Sequence, residues 1–347
     1  MADEGCSLPF VSVIMPVCKE AAFIARSLGA VLAQDYPADR MEVIVTDGMS
    51  TDGTREIVQA LQAQYPNLKL IDNPGKIVST GLNAALDAAF GEILIRVDGH
   101  SEVARDFVRQ NVSVMQEHPE AWSVGGPIIH HACSHNGKAI AIAMAHPIGV
   151  GNALHRFAGY EGWGEGAQFP AFRRWVFQKV GRFDEQLVRN QDDELNYRLI
   201  QAGGRIYISP RIRHIYFVRE RFLQLFKQYF QYGFWRIPVM RKHHRPTTLR
   251  QVAPPLFLVS LVGSILWALI FNHPASAFIV PGLYGSVLLI AALTKLRKEQ
   301  LSVVIRIPLA MAVMHSGYAL GMAYGLWASV FKREAWDDHI RMATLSR

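Results

Sequence analysis

The chain has 347 residues, 50% of them hydrophobic, and a mean hydropathy of +0.11; this is length enough for one large core or two domains, and more apolar than an ordinary soluble protein. Lys and Arg number 36 against 29 Asp and Glu, a net charge of +7, which suits nucleic acid, anionic lipid or a phosphorylated substrate without choosing among them. Cys6, Cys18 and Cys133 are widely spaced, which excludes a disulfide framework or a metal-binding cysteine pair and favours a reducing compartment.

The opening MADEGCSLPF is acidic and lacks a basic and an apolar region, so no cleavable signal peptide is expected. VSVIMPV then reads as a strand, followed by a helix with Phe23, Ile24, Leu28, Val31 and Leu32 on one face. MEVIVTDG is a second strand, and Ile57, Val58 and Leu61 mark a second helix. LKLID, a helix around STGLNAALDAAF, and EILIRVDG continue the alternation. Strand-helix repetition predicts a largely parallel α/β sheet with both faces covered. Ligands of such sheets sit beyond the carboxyl ends of the strands, and Asp47 and Asp98 fall at two of those ends.

The chain changes character at about Arg250. Residues 252–271 and 274–294 are apolar and uncharged, each close to the roughly 20 residues that span a bilayer. A third segment, 307–331, contains His315 as its one ionisable group, with Arg306 at its start. Arg241, Lys242, Arg245 and Arg250 precede the first segment, and Lys295, Arg297 and Lys298 follow the second, whereas NHPASA between them has no Lys or Arg. The positive-inside rule therefore expects the N-terminal domain and the second connection on the cytoplasmic side of the inner (plasma) membrane. Lys332 and Arg333 oppose an outside C-terminus, which leaves the third segment either crossing or re-entering. The expected organisation is 1–219 catalytic, 220–250 an amphipathic interfacial segment, 251–331 about three transmembrane helices, and 332–347 a tail.

VTDGMSTDGT places an aspartate at a strand tip and then a glycine-containing turn, with Asp52 or Thr54 capping the next helix. Asp47 precedes the turn, where a carboxylate accepts from a base NH or a ribose hydroxyl. In RVDGH the alternate spacing points Asp98 and His100 to one side; a carboxylate and an imidazole hold a divalent cation whose shell diphosphate oxygens and water complete.

The ordered set VSVIMPVCKEAAFIARSL, EVIVTDGMSTDGT, NPGKIVSTGLNAAL, ILIRVDGH, FRRWVFQKVGRFDE and QDDELNYRLIQAGGRI resembles a family-2 inverting glycosyltransferase of GT-A fold. Within that family it resembles the membrane-bound enzymes of succinoglycan-type exopolysaccharide synthesis. The resemblance covers roughly residues 10–240. It implies a GT-A (Rossmann-like, mostly parallel sheet) domain followed by a transmembrane helical region. It also implies a nucleotide-sugar donor, UDP-linked in this reading, a divalent cation (Mn²⁺ or Mg²⁺) and inversion at the anomeric carbon. On that analogy Pro16, Glu20, Asp47, Lys76 and Asp98 contact the nucleotide sugar. Asp98 and His100 hold the metal, His100 standing where the family usually has an aspartate, a softer ligand that favours Mn²⁺. Lys19 is a second departure, in CKE where the family often has Asn-Glu.

Inverting transfer needs a carboxylate to take the acceptor hydroxyl's proton. The resemblance gives that place to Asp192, with Gln191 replacing the usual glutamate and with Asp193 and Glu194 as rivals that also suit a solvated helix start. GWGEGAQFPAFRRWVF resembles the acceptor-pocket stretch, in which Trp163 stacks on a sugar or packs in a core, and Arg173 is a candidate contact. The aromatic stretch RFLQLFKQYFQYGFWRIPVMRKHHR suits a helix lying in the membrane interface. It resembles the family's Gln-x-x-Arg-Trp element, so Gln231, Trp235 and Arg236 are candidates for diphosphate contact, with lipid headgroups the other reading for Arg236.

PVCKEAAF has no glycine-rich turn, which excludes a Rossmann oxidoreductase. Nucleic acid is disfavoured because the basic residues cluster beside the apolar segments, where anionic lipid explains them. The expected activity is a membrane-anchored glycosyltransferase acting on a lipid-linked (polyprenyl diphosphate) saccharide among membrane lipids. A processive polysaccharide synthase and a non-catalytic membrane scaffold are the alternatives.

Overall fold

The structure is a computed structural model that describes residues 8–246 and 248–331. Cys6, Lys332, Arg333 and the expected tail 332–347 lie outside the described residues. The described residues form two compact units, one of residues up to Ile129 with Phe157–Tyr216, the other of His130–Arg156 with 217–331.

In chain order the elements are β1 (Val11–Val17), α1 (Ile24–Leu32), β2 (Met41–Asp47), α2 (Thr54–Gln62), β3 (Leu68–Asp72), α3 (Val78–Ala88), β4 (Ile93–Arg96), β5 (Glu102–Val103), α4 (Phe107–Glu117), β6 (Ser123–Gly126) and β7 (Ile129–His131). There follow α5 (His135–Met144) and α6 (Pro147–Val150), then β8 (Gly162–Gly164), β9 (Gln168–Arg173), α7 (Trp175–Val180), α8 (Gln191–Gln201), β10 (Ile206–Ile208) and β11 (His214–Phe217). The chain ends with α9 (Phe222–His243), α10 (Ala253–Ile270), α11 (Ile279–Leu293), α12 (Leu301–Val304) and α13 (Ile307–Phe331).

The first unit is built on an eight-stranded sheet in the order β3-β2-β1-β4-β9-β6-β10-β8. Every residue of β1 is buried because the sheet is covered on both faces. The two-residue side-chain period then sends Val11, Val13, Met15 and Val17 into one core with Ile24, Leu28, Phe107 and Val112. Ile14 goes to the other face with Leu82, Leu86, Leu195 and Leu199. β3, β2, β1 and β4 are parallel, as alternation with helices predicts. β9 enters antiparallel between β4 and β6, and β8 is antiparallel at the edge, so the sheet is mixed beyond β4.

Register brings the candidate acids to one rim. Asp47 is level with Val17 and with Asp72. Arg96 is level with Ile14, and the Val97 amide bonds the Ile14 carbonyl at 3.0 Å, so Asp98 leaves β4 beside the end of β1.

Three helical stretches of the second unit are long and apolar enough to cross a membrane, Leu249–Ile270, Pro274–Leu293 and Leu301–Phe331. α9 packs along α13 at backbone distance. A Cβ on Gly233 would stand 2.1 Å from the Tyr318 carbonyl oxygen, and one on Gly321 would stand 2.1 Å from that of Phe230. Glycine is required at both crossings, as in close helix pairs within bilayers. The residues α9 buries, among them Leu225, Tyr229, Phe234 and Ile237, therefore line a helix-helix interface, where the sequence suggested a helix laid flat on lipid. α5, which the sequence grouped with the catalytic domain, also packs against α13 and α12, tied by Asn136 Oδ1 accepting from Arg306 Nε at 2.9 Å.

Candidate active site

The two glycines and two aspartates of TDGMSTDGT build a scaffold for the neighbouring turn. Asp52 accepts from the amide and hydroxyl of Thr54 at 3.2 and 2.6 Å and from the Ala21 amide at 3.1 Å. Gly53 takes φ +98, a left-handed conformation that glycine adopts without strain. The Ser50 hydroxyl accepts from the Lys19 amide at 2.8 Å, and the Thr54 hydroxyl accepts from the Glu20 amide at 2.7 Å. The β1–α1 turn is thus hung on the β2–α2 turn. Asp47 itself has no exposed side-chain surface; it accepts from the Ser50 amide and lies 3.4 Å from Arg55 Nη1, which also pairs with Asp72 at 2.6 Å. In this conformation Asp47 is a turn-holding carboxylate, and contact with a base would require the turn to open.

The Asp98–Gly99–His100 turn follows β4. A Cβ on Gly99 would meet Val17 Cγ1 at 2.8 Å, so glycine lets this turn sit against β1. The Ser27 hydroxyl donates to the Gly99 carbonyl at 2.5 Å and fixes it to α1. Asp98 Oδ1 faces Arg96 Nε and Nη2, each at 3.0 Å. His100 Nδ1 is 3.3 Å from Glu20 Oε1, so buried Glu20 enters the site as the carboxylate that orients His100. Pro16 is buried in β1, and Lys76 is exposed in the β3–α3 turn with φ +60, its amide bonded to the Asn73 carbonyl.

α8 opens with three consecutive acids, of which Asp192 and Glu194 meet different environments. Asp192 has about half its side chain exposed and lies 3.8 Å from Arg96 Nη1; its Oδ1 accepts from the Asp193 amide. Burial of its surroundings, and then the charge of Asp193, push the Asp192 carboxyl above its ordinary pKa, and Arg96 opposes the rise. Glu194 is fully buried and held by Arg198 through Nε at 2.9 Å and Nη2 at 2.8 Å. Arg96 stays charged despite burial because Asp98 and Asp192 favour its cation.

Two residues of this site escaped the sequence. Arg96 was visible two positions before Asp98, the spacing that shares a strand face, yet arginine in a strand carries no motif. His214 had no local signal at all. It is 1% exposed on β11, opposite Val103 of β5, and neither ring nitrogen has a hydrogen-bond partner of normal geometry. Burial pulls its pKa down to about 4, against weaker opposing effects of the Ile212 carbonyl and Asp98.

The acceptor-side candidates fall elsewhere. Arg173 pairs with Ile93, the first residue of β4, which puts it at the opposite end of the sheet from the rim. Its guanidinium donates to the carbonyls of Ala121 and Met115 at 2.9 and 2.8 Å, so in this conformation it holds the α4–β6 connection, away from the acids at the rim. Trp163 lies on edge strand β8 with Arg205 3.6 Å over its ring and with His118 and Tyr207 packed edge-on; the arginine occupies one of the faces a sugar would need. Gln231, Trp235 and Arg236 belong to α9 of the second unit, where Trp235 is 1% and Arg236 5% exposed.

The family model described as Glycosyl transferase family 2 matches residues 12–180. Succinoglycan biosynthesis protein ExoA of Rhizobium meliloti (strain 1021) is 31% identical over 266 residues, covering 74% of this chain and 78% of that protein. The dolichyl N-acetyl-alpha-D-glucosaminyl phosphate 3-beta-D-2,3-diacetamido-2,3-dideoxy-beta-D-glucuronosyltransferase of Methanococcus voltae is 25% identical over 325 residues, 91% of this chain and 97% of that one. Among solved structures, the mannosyltransferase PcManGT from Pyrobaculum calidifontis in complex with GDP-Man and Mn²⁺ shares the fold with a TM-score of 0.56 at 21% identity, over 97% of this chain and 90% of that chain.

Proposed function

This chain belongs to glycosyl transferase family 2 and is a glycosyltransferase; from that premise we propose that it transfers a sugar, with inversion, from a UDP-linked donor to a lipid-linked saccharide. The observation that carries the reading is the meeting of Asp98 and Asp192, from distant parts of the chain, on the guanidinium of Arg96 at the carboxyl rim of the sheet. One carboxylate at the donor's diphosphate and another at the acceptor's hydroxyl are the two groups an inverting displacement requires.

In this reading Asp192 takes the proton of the acceptor hydroxyl as that oxygen attacks the anomeric carbon, and the sugar-phosphate bond breaks with its electron pair leaving on the diphosphate. Asp192 suits the role because its carboxylate is accessible and its raised pKa makes it a stronger base than an ordinary aspartate. Asp98, His100 and His214 would hold a divalent cation. The fit rests on the buried ring of His214, whose nitrogens make no hydrogen bond of normal geometry and whose pKa burial lowers, and on Glu20 at Nδ1 of His100, the carboxylate-histidine pairing that orients metal-binding imidazoles. Among the described residues no three His, Cys, Asp or Glu groups already stand together at metal-holding spacing, so donor oxygens would complete the shell. Such a cation, when bound, neutralises charge on the leaving diphosphate. PcManGT, by name solved with GDP-Man and Mn²⁺, supports a nucleotide sugar and a cation.

The acceptor and location draw on the second unit and on the relatives. ExoA is by name a succinoglycan biosynthesis protein, and the Methanococcus relative acts by name on a dolichyl-linked sugar. With the three candidate spans and the basic residues that flank them, this supports a multi-pass protein of the inner membrane, its catalytic domain cytoplasmic, working in exopolysaccharide or cell-surface glycan synthesis. The test is to supply the detergent-purified protein with labelled sugar nucleotides and a membrane lipid extract. Label entering the organic phase, and lost in Asp192→Asn, is the expected result. Label confined to a water-soluble polymer would instead favour a processive synthase, and transfer from no nucleotide sugar would remove the reading.

A further inference from the structure

Arg96 is the last residue of β4, and its side chain is 11% exposed. A guanidinium taken out of water is costly unless its donors are matched. Here Nε and Nη2 both take Oδ1 of Asp98 at 3.0 Å, and Nη1 is turned to Oδ2 of Asp192 at 3.8 Å. The first is a charge-assisted, two-pronged grip; the second is a Coulomb contact too long for a hydrogen bond.

We infer that Arg96 is a positioning residue for the transfer reaction, fixing which oxygen of Asp98 is presented to the cation and diphosphate and holding the Asp192 carboxylate at a set distance from it. The inference rests on the reading above, in which Asp98 serves the cation and Asp192 the proton. Because two donors share Oδ1, the Asp98 carboxylate cannot turn about its Cβ–Cγ bond without losing both contacts at once. The same planar group reaches across to α8, so a shift of either acid is felt by the other. Lysine would keep the charge and lose the fork, since one ammonium is a point charge that cannot fix a plane. Glutamine or methionine would leave two carboxylates facing each other across an uncharged gap, where like charges disfavour ionisation of both.

The experiment uses the full-length protein in detergent. Mn²⁺ binding is followed by loss of the free-ion paramagnetic resonance signal, with UDP or GDP present, and thermal melting is recorded in parallel. Wild type is compared with Arg96→Lys, Arg96→Met, Asp98→Asn and Asp192→Asn. Loss of an outer-shell partner typically weakens metal binding about 10- to 100-fold, and that is the expected loss in Arg96→Met, with Arg96→Lys between it and wild type. Asp192→Asn, which keeps the Arg96–Asp98 grip, should bind Mn²⁺ as wild type does. Wild-type Mn²⁺ affinity in both Arg96 variants, beside a loss in Asp98→Asn, overturns the positioning role alone. Wild-type affinity in Asp98→Asn removes the metal reading of Asp98 and the inference with it. Should Arg96→Met fail to fold, Arg96→Lys decides: affinity equal to wild type overturns the inference, and a folded protein of weakened affinity sustains it.

Discussion

The three acids that open α8 are chemically similar and one residue apart, yet they should respond differently to neutralisation. Asp192 is accessible and near Arg96, so Asp192→Asn should lower kcat by about 10²- to 10⁴-fold, the usual cost of losing a general base, with little change in the KM for the donor. Asp193→Asn should stay within a few-fold of wild type. Glu194 is fully buried on Arg198; its replacement by alanine leaves a cation without its partner and should cost about 3–5 kcal/mol of stability, read as a lower melting temperature. A Glu194 variant that melts normally and is inactive would move the base by two residues. The acid limb of the rate profile follows from the upward shift at Asp192. The base acts only when ionised, so activity is present at high pH and is lost as pH falls through a value above the ordinary aspartate range of about 3.9. Sequence made Asp192 and Asp98 legible because their motifs are local. It could not show that Arg96 also reaches Asp192, nor that His214 of β11 feels the charge of Asp98, since both depend on elements brought together only by the fold.

At the scale of elements, the parallel half of the sheet was legible for a physical reason: strands covered on both faces become unbroken apolar runs, as in VSVIMPV. The antiparallel half was not, because β8 and β10 are three residues each and β9 carries Pro170 within QFPAFR, giving no clean period. α9 is legible as a helix, and the structure adds that one side of it packs along α13. Its aromatic density reads equally as a lipid-facing surface or as a helix-helix seam, and the glycines that distinguish them lie mostly on α13, in GMAYG and its flanks. The seam makes a sharp prediction. Gly321→Val must push the Phe230 backbone away and should lower the melting temperature of the detergent-solubilised protein by several degrees, since overpacking costs about 1–3 kcal/mol or more. Gly263→Ala on α10 meets nothing within 4 Å and should be neutral or slightly stabilising, as alanine exceeds glycine in helix propensity by roughly 1 kcal/mol. Equal melting temperatures for Gly321→Val and wild type would show that α9 and α13 are not packed in this way.

Across the whole molecule, the division of the chain is not the division of the sequence. Hydropathy draws one boundary near Arg250; ending the chain there removes the three apolar segments and raises solubility, while the aromatic stretch that remains is expected to keep some lipid affinity. The second unit, however, recruits His130–Arg156 from within the catalytic sequence, a segment whose short AIAIAMA run gives no sign of where it docks. On α5, Ala139, Ile140, Ala143 and Met144 are buried, and α5 packs on α13 and α12. Leu225, Tyr229, Phe234, Ile237 and Val239 of α9 are buried too, on the helix that packs along α13. A chain cut after residue 249 keeps both of these helices and removes the one they share. Each large apolar side chain uncovered in this way costs roughly 1.5–3 kcal/mol, and contiguous patches of that kind drive association or membrane binding. The 1–249 fragment should therefore sediment with membranes or aggregate and should bind liposomes. Replacing residues 132–154 by a short polar linker and ending the chain before Phe222 should release a soluble catalytic unit. Clean monomeric recovery of 1–249, with no liposome binding, would mean that α5 and α9 do not depend on α13 for burial.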